Sequence, residues 1–434
     1  MAISRRGVVK GASGLLGLAA CGGVFRFAEA WAQNNPFEPE PGAQLNLLRW
    51  KRFVQSEDDA FVLILEAFSK ATGVKIVTSS ESYDDVQPKA SVAAHTGQGP
   101  DLVWGLHSLP HLFPDKCLDV SDVAKHLDGK HGGWFPSAAA YGKSGDRWIA
   151  IPSGFSGTII NYRVSSIEKA GFKEFPTENA AFLDLCRALK KNATPAGFAM
   201  GHASGDANNW LHWALWSHNA FLVDKDDRVT INSPETARAL EYVKALYETF
   251  IPGTASWNDG SNNKAFLSGA LHCTNNGISI YTAATREKPA IAEDMDHAYF
   301  PVGPIGRPTE LHLCFPLFAF KYTKAPNACK ALINYFMDAS QYDPWLKAGH
   351  GFVAHSLKGF DQSPVWTVDP KRTKFRDSAR RTLTVAGIGS LGDKATAAIA
   401  DFVVVDMFAN YVTGRVDLKG AIATAERQAK RLYR

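Results

Sequence analysis

Apolar and polar positions follow two periods along this chain. Leu45, Leu47 and Leu48 lead to Trp50 in a strand-like run, and from Ser56 to Ala71 apolar residues recur at Phe61, Ile64, Leu65 and Phe68, the spacing of one helix face. Gly73 closes that predicted helix, Val74 to Thr78 reads as a second strand, and a helical region continues to Thr96. Gly97-Gln98-Gly99-Pro100 then turns into a third strand over 101–104. Strand, helix, strand, helix, strand predicts a mostly parallel α/β sheet.

Two further β-like runs, 148–152 and 158–162, flank Ser153-Gly154-Phe155-Ser156-Gly157. A glycine-rich extended passage between α/β units suits a hinge, although an ordinary surface loop has the same pattern. Beyond it, helices are predicted at 179–191, 209–218, 233–248 and 262–268, with Trp213 and Trp216 on a packed face. Gly387 to Gly392 spells GxGxxG, the fingerprint of a dinucleotide loop. Yet Ile399, Phe402, Val403 and Met407 share one helical face, so 395–411 is expected as a single helix after a flexible loop. Too little chain remains there to build a nucleotide fold.

Charge and composition change the picture at the amino end. Ser4-Arg5-Arg6-Gly7-Val8-Val9-Lys10 has the twin-arginine export pattern, and the apolar stretch from Gly11 to Phe25 is too short for a membrane span. Residues 1–32 are therefore expected to be a signal peptide cut after Ala30-Trp31-Ala32, with 33–43 as a lead-in. Acylation at Cys21, after Leu18-Ala19-Ala20, is the alternative, which would leave a lipid anchor. Without residues 1–32 the formal charge falls from +4 to +1, which gives no electrostatic footprint for nucleic acid. The remaining length suits two domains. Five cysteines follow the signal with no CxxC; they are expected as small core residues.

Catalytic signatures are missing from the sequence: there is no GxSxG, HExxH or P-loop. His107 and His111 stand four apart, but Pro110 lies between them and no third metal ligand is near. Asp58-Asp59 and Asp84-Asp85 read as solvated acids at helix starts. Neither an enzyme nor a cofactor is expected.

The order of elements resembles the family 1 extracellular solute-binding proteins of ABC importers. Gly99-Pro100-Asp101-Leu102-Val103 is similar to the family's G/A-P-D strand, and Arg147 to Pro152 to its W-x-A-x-P strand before an interlobe crossing. Tyr162, Lys169-Ala170-Gly171-Phe172 and Pro176-Thr177 resemble its next segment, with Arg163-Val164 in place of Asn-Lys. Lys264 to Leu271 resembles its A-F-x-x-G element. The resemblance implies an α/β, two-lobed periplasmic binding fold (type II), with a ligand cleft between lobes joined by three hinge crossings. It places 44–152 and 278–318 in lobe 1, and 157–276 and 320–434 in lobe 2. It also implies a monomer in the periplasm that passes a small solute to an ABC permease in the inner membrane, after export by the twin-arginine translocase.

Sugars present apolar C–H faces rimmed by hydroxyls, so their sites want aromatic planes beside amides, hydroxyls and carboxylates. On that basis the expected ligand-binding residues are Trp50, Glu81, Tyr83, Trp104, Ser156, Trp210, Trp257, Asp259, Asn275 and Asn276. Trp104 stands within one residue of where the maltose-binding relatives carry a stacking Trp, whereas Ile278-Ser279 replaces their Pro-Trp. A carbohydrate or polyol is the expected solute. A polyamine or other cation is the alternative, which needs Glu81, Asp84, Asp259 and Glu310 to converge. A secreted enzyme on the same scaffold is the remote one.

Overall fold

The computed structural model describes residue 31 and residues 35–434. The expected signal and its cleavage sites lie outside the described residues except for Trp31, which is buried against Tyr335 with ring centroids 4.9 Å apart.

Lobe 1 begins with β1 (Gln44–Trp50), α1 (Gln55–Thr72), β2 (Lys75–Glu81), α2 (Val86–Thr96) and β3 (Leu102–Trp104). β1 pairs in parallel with β2 and β3, the arrangement that the two strand–helix–strand units dictate. Helix α1 buries Phe61, Ile64, Leu65 and Phe68 and stops at Gly73, whose φ of 75° is open to glycine at little cost. Strand β4 (Ile151–Ser156) is buried along its whole length, so the stretch expected as a hinge loop is mostly strand.

The chain crosses at 157–158 into β5 (Ile159–Arg163), the middle strand of lobe 2. There follow α3 (Asn179–Lys191), α4 (Asp206–Ser217), α5 (Pro234–Tyr247), α6 (Ser261–Leu267), β6 (Cys273–Asn276), α7 (Ser279–Glu287) and β7 (Met295–Ala298). The Ser233 side chain accepts from Thr236 N at 3.1 Å, capping α5 where Ser-Pro-Glu marks its start. β6 and β7 both run antiparallel to β5.

Next come β8 (Glu310–Leu311) and β9 (Leu313–Ala319), which inserts antiparallel between β3 and β4. The lobe 1 sheet thus reads β2-β1-β3-β9-β4. α8 (Pro326–Phe336) and α9 (Ala339–Ala348) pack on α1. β10 (Thr382–Leu383) pairs in parallel with β8, and α10 (Asp393–Ala400), α11 (Val403–Val412) and α12 (Leu418–Leu432) follow. α11 packs on α4 and α5, and α12 on α5 and α11.

This pairing corrects the expected division in two segments. Residues 278–309 belong with lobe 2, because Met295 to Ala298 run along β5. Residues 320–381 belong largely with lobe 1, because α8 and α9 cover α1. The later crossings are therefore at 310–312 and 382–384, side by side as the β8–β10 ribbon. A four-residue strand has no periodicity to say which sheet it will join. The single helix expected over 395–411 is also broken: Phe402, at φ 53°, separates α10 from α11. The GxGxxG stretch is a loop packed on lobe 2, where a Cβ at Gly387 would stand 3.0 Å from Trp216 and Phe221. The five cysteines are buried and unpaired.

Candidate functional site

Between the lobes lie two chambers that share Tyr83 as a wall. The inner one, about 30 Å³, is bounded by Phe53, Tyr83, Leu313 and Phe352 of lobe 1 and by Asp206, Asp259, Asn276 and Ser279 of lobe 2, with Ser156, Thr158 and Gly277 along its side. The wider one, about 430 Å³, lies between Asp84, Leu106 and His107 on one side and His202, Ser204, Asn208 and Phe402 on the other. The lobes touch across it. The Ser204 carbonyl accepts from His107 Nε2 at 2.8 Å, and Ser204 Oγ donates to Asp84 Oδ1 at 3.0 Å.

Asp206 is held by amides. Asn262 Nδ2 donates to its Oδ2 at 2.8 Å, Asn276 Nδ2 reaches the same oxygen at 3.3 Å, and Asn275 Nδ2 donates to its carbonyl at 3.1 Å. Ser279 Oγ in turn donates to Asn276 Oδ1 at 3.1 Å. Asp259 sits over the start of α4, where its Oδ1 accepts from Gly205 N at 3.1 Å and Asp206 N at 2.7 Å. These are orphan helix donors, so the carboxylate caps the helix as well as facing the cleft. Burial, then the neighbouring Asp259, pushes Asp206 well above the usual carboxylate range. Burial raises Asp259 to about 6 against the backbone N–H groups of Asp206, Gly205 and Ser204, which favour its anion. Burial, then both aspartates, keeps the Tyr83 phenol protonated.

The expected binding residues divide. Tyr83, Ser156, Asp259 and Asn276 line the cleft, and Asn275 stands behind it, bonded to Asp206. Trp50 and Trp104 do not line it: both are 0% exposed, and the planes expected to stack on a ligand enclose the Arg52 guanidinium at 4.1 and 3.8 Å. Trp104 Nε1 also donates to Ser153 Oγ at 2.8 Å, fixing the ring in lobe 1. Trp210 is core in lobe 2, its Nε1 donating to the Ala199 carbonyl at 2.6 Å and its ring packed on Phe198 and Phe250. Trp257 is half-buried outside the cleft walls, near Gly197 and Ile251. Glu81 is paired with Lys89 at 2.5 Å.

The acids needed for the polyamine alternative do not converge. Glu310 is buried and bound through both oxygens by Arg381, at 2.6 and 2.9 Å, and by His312 at 3.0 Å. His107 and His111 point to carbonyls of Ser204 and Tyr141, and among the described residues no group of three His, Cys, Asp or Glu side chains is placed to hold a metal. Phe53, Asp206, His107, Phe352 and Phe402 are cleft residues that the sequence did not single out for this role. Asp206 lies just ahead of the helix predicted at 209–218, which begins three residues earlier in the structure. Phe53 and Phe352 had no signal, being single aromatics in irregular segments.

Buried histidines set an acid limit on stability. Burial holds His107 and His212 down at about 4 and His297 at about 3. Unfolded rings bind protons below about 6.5 while the folded rings stay neutral, so their contribution is full above that pH and lost on acidification toward 4. Asp206 and Asp259 have the opposite sign: raised in the fold, they favour it in acid and lose that contribution as pH rises. Three rings outweigh two carboxyls. Calorimetry of the unliganded protein should show a lower Tm at pH 5 than at pH 7, with a steeper fall for Asp259→Asn; an equal or higher Tm at pH 5 would contradict the histidine assignment.

Comparison with known proteins agrees with this geometry. A curated Deinococcus radiodurans protein named as an ABC transporter-binding protein is 23% identical over 250 residues, 56% of this chain; the match spans 58% of that relative. A sugar transporter structure from Arthrobacter chlorophenolicus with bound laminaribiose superposes with a TM-score of 0.78 at 19% identity, covering 90% of this chain and 99% of the other. An ABC transporter solute-binding protein from Agrobacterium radiobacter in complex with ribitol gives 0.74 at 17% identity, over 90% and 99%. At such identities the superpositions speak for the fold, which is the two-lobed binding-protein fold. Through residues 64–374, the chain belongs to the bacterial extracellular solute-binding protein family.

Proposed function

We propose that the protein is the capture component of an ABC importer, closing its lobes on a carbohydrate or polyol and delivering it to a membrane permease. One observation carries this reading. Lobe 1 presents Phe53, Tyr83 and Phe352 to a lobe 2 surface made of Asp206, Asn276 and Ser279, so apolar C–H faces and hydroxyls are each met from one side. Laminaribiose and ribitol in the structural relatives are of the same chemistry. The residues Tyr83, Ser156, Asp206 and Asn276 are assigned to the ligand, and Asp259 to holding the start of α4 against it.

A thermal-shift panel of sugars and polyols tests the reading. A ligand at a hundredfold its Kd adds about 2.7 kcal/mol, a rise of a few degrees for a chain of this size. No shift across mono- and disaccharides and alditols, with amino acids or polyamines active instead, would overturn it.

Export by the twin-arginine route is part of the same proposal and rests on Arg5-Arg6. Replacing both with Lys should leave the precursor in the cytoplasmic fraction. Unchanged periplasmic yield would point to another route.

A further inference from the structure

Two buried acceptors in the wider chamber have no partner. His107 Nε2 faces the Ser204 carbonyl and must carry the ring proton, which leaves Nδ1, buried and unpartnered, as an acceptor. Asn208 Nδ2 donates to the same carbonyl at 3.3 Å, and its Oδ1 is buried with no partner. Both side chains line the wider chamber and are more than nine-tenths buried. The carboxylates facing the two chambers are Asp84, Asp206 and Asp259, and their linings contain no Lys or Arg. Arg52, the cation beneath Tyr83, is already paired with Glu57 at 3.1 Å. His202 is bonded to Asp406 at 2.8 Å.

What enters the wider chamber must therefore bring hydrogen donors, and an ammonium in the inner one would draw into its anionic form the Asp206 carboxyl, which burial otherwise disposes to keep its proton. The inner chamber, about 30 Å³, has room for one small polar head group, and the wider one, about 430 Å³, for a sugar-sized body. Three aromatics around the inner chamber add the face that an ammonium prefers.

We propose that this cleft selects an aminated sugar or sugar alcohol, its ammonium set against Asp206 among Phe53, Tyr83 and Phe352 and its hydroxyls donating to Asn208 Oδ1 and His107 Nδ1. The inference rests on the carbohydrate reading above and narrows it. It excludes uronates and sugar phosphates as good ligands, because their anions meet only carboxylates.

Titration calorimetry of the signal-free protein with matched hexosamine, hexose and hexuronate in the gluco, galacto and manno series, plus aminated and plain alditols, tests it. In at least one series the amine should bind on the order of tenfold tighter than its neutral parent, and the uronate at least tenfold weaker. Asp206→Asn should bring the amine-to-neutral ratio near one. Should that variant not fold, the wild-type series still decides. A neutral parent binding as tightly as its amine, or a uronate binding best, overturns the proposal and leaves the carbohydrate reading standing. Silence from every member overturns both.

Discussion

Glu57→Ala is expected to destabilise the protein by about 3–5 kcal/mol, far more than a surface charge change, because it strands a buried cation. Arg52 and Glu57 pair at 3.1 Å with side chains 0% and 1% exposed. The guanidinium lies between Trp50 and Trp104, and burial pulls it down to about 9. None of its three nitrogens has a hydrogen-bond partner, so the charge of Glu57 is its main compensation. Urea unfolding at unchanged m-value gives the measurement. The double change Arg52→Met with Glu57→Leu should recover most of the loss, since it removes both charges and keeps apolar volume. A single variant with an unaltered midpoint would mean that the pair is not buried in solution.

Trp104→Ala should cost a similar about 3–5 kcal/mol, through lost packing and a cavity. The ring meets Phe61 at 4.7 Å, Phe336 at 5.0 Å and Trp345 at 5.7 Å between centroids, and the Ser153 bond would be lost with it. Sugar affinity measured below the lowered Tm should stay within about threefold of wild type, less than 1 kcal/mol by the usual conversion. An intact fold with lost affinity would restore Trp104 to the ligand. The cost will not add to that of Glu57→Ala, because Arg52 sits 3.8 Å over the same ring.

These two residues show where sequence reasoning stops. Helix α3 was legible to the residue, because Phe182, Leu185, Cys186 and Leu189 keep a clean helical period and all are buried. The three opening strands were legible from the glycine turns and helical runs that bound them, and the two-lobed fold followed from the order of motifs. A tryptophan at a strand end, by contrast, has the same spacing whether it faces a ligand or an arginine of its own core. Arg52 decided the matter, and nothing in the linear pattern marks a cation as buried. The acidic floor was half legible: Asp259, Asn275 and Asn276 fall in polar loop or strand-end clusters, whereas Asp206 acquires its place from α4 being capped by a residue 53 positions away.

The place of β9 in lobe 1 has a consequence for biosynthesis. β3 and β4 do not pair with one another; each pairs with β9, which supplies residues 313–319 between them. Until the ribosome has added that strand, the lobe 1 sheet has a gap in its middle and two open edges, and lobe 2 still waits for the helices that end at residue 432. Neither half can finish folding while it is being made. The nascent chain must be kept from aggregating through nearly its whole length and then close both lobes together, so chaperone demand during synthesis is built into the strand order.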